Sequence, residues 1–212
     1  MIEAYEGGLE DVWSISERKH LVASYYRNTV IHFFVNAAIT ALARDAVRAR
    51  PGGDVESWSL RLRDLLKFEF FFSERDAFRG EIAAETARLA RDERRGIGPI
   101  GAATPGILLD YLESYWVATE ALRALPPAPM PESELLQRCH AIGRQKLLQN
   151  DVHAPWLLSS LNFENALRLA VNHGAAAADE RGYRRGDDER LRELTGDLAF
   201  LAGLARRTHS DA

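Results

Sequence analysis

The chain has 212 residues, 46% of them hydrophobic, with 27 Lys and Arg set against 31 Asp and Glu for a formal net charge of −4 at pH 7. A chain of this size buries roughly 70% of its unfolded surface, so ordinary globular composition excludes a disordered chain. The lack of any uncharged apolar run of about 18 residues excludes a membrane-spanning helix, and the acidic balance offers no global positive field for a nucleic-acid backbone. The one cysteine, Cys139, cannot close an internal disulfide, and the opening MIEAYEGGLE has neither the basic start nor the apolar stretch of a secretion leader. Both features read as a cytoplasmic location.

Apolar residues recur at spacings of three and four from Leu21 onward, the pattern of helices burying one stripe, and almost no stretch alternates with the period of two that strands require. The expectation is an all-α, multi-helix domain. Ser14 and Glu17 have capping-box spacing, which predicts a first helix from there to about Ala49, ended by Pro51, Gly52 and Gly53. Asp54 is suited to cap a second helix carrying Leu60, Leu62, Leu65 and Leu66. Ser73 and Asp76 predict a third, from Phe78 to about Arg95, and Thr104 before Pro105 marks a fourth that runs to about Leu125.

The proline-rich PPAPMP is a stiff connector, 126–131, and divides the chain into an N-terminal helical half, 1–125, and a C-terminal helical half, 132–212. Beyond it Leu135, Cys139, Ile142 and Leu147 share one face, Pro155 interrupts, and helices resume near Leu161 and Glu189. ARDERRGI (Ala90 to Ile97) and AADERGY (Ala177 to Tyr183) look alike: each reads as a helix end with a charged run, a glycine and an apolar residue. The pair suggests one unit used twice, as two small winged-helix-like units with minimal hairpins.

Known chemical signatures are missing. GIGPIG at Gly96 to Gly101 matches G-x-G-x-x-G in letters, but a charged helix precedes it where a dinucleotide site needs a buried strand, and Pro99 removes a donor. The six histidines form no close pair of the zinc-binding kind, Cys139 and His140 diverge by about 100° on a helix, and there is no nucleophile elbow or phosphate loop. No metal and no cofactor is expected.

Two segments stand out. In SYYRNTVIHFFVNAAIT the residues Ser24, Asn28, His32, Asn36 and Thr40 fall every four positions and make a polar stripe on an otherwise apolar helix, which should be central. Arg27, Asn28, His32 and Asn36 are candidates either for an internal hydrogen-bond network or for docking a partner. LLKFEFFFSERDAF sets Phe68, Phe70, Phe71 and Phe72 around Glu69, as a helix end buried in the core or as an exposed apolar patch for another chain or a lipid surface.

Together YYRNTVIHFFV and LLKFEFFFSERDAF resemble the region downstream of the catalytic domain in bacterial glycerol-3-phosphate 1-O-acyltransferases and their dihydroxyacetone-phosphate relatives, and the likeness runs from about Glu3 to about Arg207. The resemblance implies a parent enzyme of phospholipid synthesis that moves an acyl group from acyl-CoA or acyl-carrier protein to glycerol 3-phosphate at the cytoplasmic membrane face. It also implies a His-x-x-x-x-Asp pair, the histidine acting as general base. That pair is absent: five residues after His20, His32, His140, His153 and His173 stand Tyr25, Ala37, Gln145, Leu158 and Ala178.

The reading is therefore a C-terminal accessory domain that packs on and supports an acyltransferase core, inactive alone, with acyl donor and glycerol 3-phosphate reaching it only through that core. Nucleic acid is not an expected partner, and peripheral membrane attachment is open. The alternative is a stand-alone helical protein-interaction module.

Overall fold

A computed structural model describes residues 2–5, 12–15, 31–95 and 104–210. The elements are a hairpin of β1 (Ile2–Tyr5) and β2 (Val12–Ile15), helices α1 (Val35–Ala49), α2 (Val55–Leu66), α3 (Arg75–Arg94), α4 (Leu109–Arg123), α5 (Glu132–Leu148) and α6 (Ser160–Asn172), a second hairpin of β3 (Ala176–Asp179) and β4 (Gly182–Arg185), and α7 (Asp188–Ser210). The domain is all-α, with short hairpins as its sheets.

Local signals explain most boundaries. Asp54 does cap α2, its carboxylate accepting from the Ser57 amide at 2.7 Å. Ser159 caps α6 in the same way, from the amide of Asn162. Thr104 and Pro105 open a 3-10 turn, Thr104–Leu108, which leads into α4.

Two expected caps fail. Ser14 stands in β2, paired across the hairpin with Glu3, so it is no helix cap: a four-residue strand with a partner outcompetes the cap. Residues 16–30 of the expected first helix lie outside the described residues, and its described part is a 3-10 turn, Ile31–Phe33, followed by α1. Ser73 is no cap either. Glu74 occupies that position for α3 without a side-chain bond, and the Ser73 hydroxyl is turned inward.

Helix α4 is the core. From Leu109 to Leu122 almost every residue is buried, including Asp110, Glu113, Ser114 and Thr119, and α5, α6 and α7 pack around it. The helix expected to be central, α1, buries Val35, Ala38, Ile39 and Leu42 against α2, α3 and the 3-10 turn before α4 but leaves its start open to solvent. One apolar cluster takes in Leu42 and Leu112 from before the proline-rich connector and Leu135, Phe163 and Leu198 from after it. The connector is tied down at its end, where Met130 and Tyr183 exchange backbone hydrogen bonds at 2.8 Å.

AADERGY is not a helix end. It is the turn of the β3–β4 hairpin, in which Asp179 accepts from the Arg181 amide and pairs with Arg184. Gly182 there has φ +121, and a Cβ would collide with the Met130 carbonyl, so only glycine fits. Its counterpart ARDERRGI does end a helix, α3 running to Arg94, while its Gly96 and Ile97 lie outside the described residues, as do the G-x-G-x-x-G segment and Ser24, Arg27 and Asn28 of the stripe.

Candidate functional site

The start of α1 and the segment after α2 meet. Residues 67–74 leave α2 as an irregular loop and pass beside the beginning of α1, so that His32, Val35, Asn36, Phe70, Phe71 and Glu81 line one small groove of about 80 Å³. The described parts of the two segments singled out in the sequence thus share one surface.

Its described polar residues grow more exposed toward the start of the helix. Thr40 is buried and donates to the Asn36 carbonyl one turn back at 2.7 Å. Asn36 is half-buried and donates to Glu81 on α3 at 2.8 Å, while His32 is exposed with its ring 4.0 Å from that of Phe33. After the turn at 67–69 the phenylalanines of 70–72 alternate between inside and outside. Phe70 and Phe72 face inward, edge-on to Tyr111 and Phe78 respectively. Phe71 is fully exposed, Phe33 is 76% exposed, and Phe34 and Phe68 are exposed as well.

Glu69, between the phenylalanines, is an anchor. It accepts from the Tyr115 hydroxyl at 2.7 Å and from the Asn165 amide at 3.2 Å, which joins the loop to α4 and α6. Burial pushes its carboxyl upward, and the two donors oppose the shift. The aromatic loop is therefore held rigidly while two of its rings point to water.

Sequence reasoning missed a second constellation, inside the fold. Asp110 and Glu113, one turn apart on α4, flank His153 from the loop after α5: Nε2 lies 3.0 Å from Asp110 and Nδ1 2.8 Å from Glu113, which also accepts the His153 amide at 2.9 Å. Arg206 of α7 reaches the other Glu113 oxygen and the carbonyls of Asn150 and Asp151. Burial works against the imidazolium, but the two carboxylates outweigh it and lift its pKa to about 9. With both ring nitrogens donating, His153 has no lone pair to act as a base. The usable signal was two acids at i and i+3 in the first turns of a helix whose other residues there are mostly apolar.

His140 and Ser160 form the other contact of catalytic type, at 3.1 Å. No carboxylate orients that imidazole among the described residues, and burial lowers its pKa, with Arg144 adding to the effect. Cys139 is buried, and its thiol is pushed up to about 12. Among the described residues no cluster of histidine, cysteine and carboxylate side chains could hold a metal ion, and no helix is long and apolar enough to cross a membrane.

Fold and site define a helical scaffold, closed by a buried charge cluster and open at one aromatic face. Comparison with known proteins agrees with the resemblance. The chain belongs to the family described as the glycerol-3-phosphate acyltransferase C-terminal region, which matches residues 1–179. It is 32% identical over 232 aligned positions to proteins of Mycobacterium tuberculosis and Mycobacterium bovis named "Putative acyltransferase plsB1". The alignment takes in 98% of this chain but only 37% of those relatives, so the chain spans little more than a third of their length. No solved structure matches it significantly.

Proposed function

We propose that this chain is the accessory helical part of a glycerol-3-phosphate acyltransferase of phospholipid synthesis, docking on a catalytic core through the face of Phe33, Phe34 and Phe71. Membership of the C-terminal-region family carries this reading, supported by the lack of any His-x-x-x-x-Asp pair in the sequence. Each exposed phenylalanine that a partner covers contributes about 1.5 to 3 kcal/mol, and the half-polar rim of His32, Asn36 and Glu81 supplies direction. Arg27 and Asn28 continue the same stripe in sequence and are assigned to the same docking role; Phe68 joins Phe71 on the aromatic loop, while Phe70 and Phe72 support it from beneath.

In this reading acyl-CoA or acyl-carrier protein and glycerol 3-phosphate bind the core, which works at the cytoplasmic membrane face, and the described chain contributes no reacting group. The 126–131 connector separates a docking half, 1–125, from a buttressing half, 132–212. The test is an acyl-transfer assay with glycerol 3-phosphate on the chain alone and on a chimera that joins the preceding part of the M. tuberculosis relative to this chain. Turnover by the chimera only is expected. Turnover by the chain alone that disappears when one histidine is replaced would contradict the proposal.

A further inference from the structure

The first residues of the aromatic loop are held by side chains that lie 96 and 105 residues further along the chain. Lys67 donates to the Asn172 side-chain oxygen at 2.6 Å, and Glu69 accepts from the Asn165 amide at 3.2 Å. Asn165 and Asn172 stand two turns apart on α6 and so share one face of that helix. Phe68 lies between the two tied residues, with the Lys67 ammonium 5.8 Å from the centre of its ring.

The two ties differ in kind. Asn165 is buried and its amide is oriented: the oxygen faces Arg168 at 3.5 Å, which leaves the nitrogen for Glu69. Asn172 is exposed at the end of α6 and takes no part in the apolar core. Within the N-terminal half, Glu69 has its further bond to Tyr115 of α4. The later part of the loop is fixed without α6, by Phe70 and Phe72 packing inward and by Arg63, which donates to the Ser73 carbonyl at 3.0 Å. One end of the loop is thus anchored in its own half of the chain and the other largely in the half beyond the connector.

We propose that Asn165 and Asn172 are positioning residues of the docking face: α6 sets the path of residues 67–69, and with it the angle at which the exposed rings of the loop meet the partner. This rests on the docking reading, in which the partner is the remainder of a protein of which this chain spans little more than a third. It adds that the C-terminal half regulates the grip of the N-terminal half, although none of its described residues lines the aromatic groove.

Asn172 allows a test in which stability and docking move apart. Asn172→Ala removes the acceptor of Lys67 but puts a good helix former at the end of α6. Asn172→Asp keeps an acceptor for the ammonium but puts a negative charge at the helix C-terminus, where the dipole disfavours it. Melting temperature is measured for each, together with association with the separately expressed preceding part of the M. tuberculosis relative, by analytical ultracentrifugation. The alanine variant is expected to melt no lower than the wild type yet bind about threefold more weakly, and the aspartate variant to melt no higher yet bind as the wild type does. Adding Asn165→Ala to Asn172→Ala should weaken binding about tenfold, with far-UV circular dichroism checking the fold. In that double variant alone in solution, hydrogen exchange should quicken at the Glu69 and Phe70 amides, which donate to the Leu66 carbonyl. Wild-type association that the single and double alanine variants both keep, or binding that follows melting temperature through the series, would overturn the proposal and leave the docking reading standing. Absence of association by the wild type would overturn both.

Discussion

Glu113 is fully buried and yet bears a charge-assisted bond on each oxygen, to His153 on one side and Arg206 on the other. Such a cluster stabilises only while every member is charged and paired. Because the His153 pKa of about 9 lies above its ordinary 6.5, its contribution is fully present below pH 6.5 and is lost as pH rises through 9. Urea unfolding should show stability falling by about 2 to 3 kcal/mol between pH 6.5 and about pH 10, and a His153→Gln variant should lack this fall. Glu69 gives a second test. Glu69→Leu leaves Tyr115 and Asn165 without an acceptor and should cost about 1 to 3 kcal/mol, whereas Glu69→Gln keeps an oxygen for both and should change stability little. Equal losses in the two variants would mean that charge, not the hydrogen bonds, holds the loop.

At the scale of elements the glycines separate backbone need from open space. Gly182→Ala must clear the Met130 carbonyl from a positive φ and should cost about 1 to 3 kcal/mol, while Gly80→Ala, in the exposed middle of α3 with nothing near it, should add about 0.5 to 1 kcal/mol. Thermal melting of the pair should therefore move in opposite directions. Helix boundaries were legible wherever one residue decided them, as at Asp54, Thr104 and Pro155. They were not legible where a partner distant in sequence decided: Ser14 has the chemistry of a cap but pairs with Glu3, and AADERGY has the letters of a helix end but folds against Met130. Spacing reports the local competition and is blind to the strand or carbonyl that wins it.

For the whole molecule, the surface half of the site could be read in advance and the interior half could not. The polar stripe and the phenylalanine run announce themselves as oddities of composition, and the structure brings His32, Asn36, Phe70 and Phe71 to one groove. Which phenylalanines face out depends on the irregular path of the loop after α2, and the joining of Asp110, Glu113, His153 and Arg206 depends on α7 closing over α4. Neither is written in local spacing. The central claim is that the exposed rings of α1 and its neighbouring loop grip a catalytic core. The direct measurement is the association of this chain with the separately expressed preceding part of the M. tuberculosis relative, followed by analytical ultracentrifugation, for the wild type and for a Phe33→Ser/Phe71→Ser double variant. The account predicts a complex with the wild type, loss of that complex in the variant, and an unchanged melting temperature, since both rings already stand in water. A complex that survives both substitutions would contradict it.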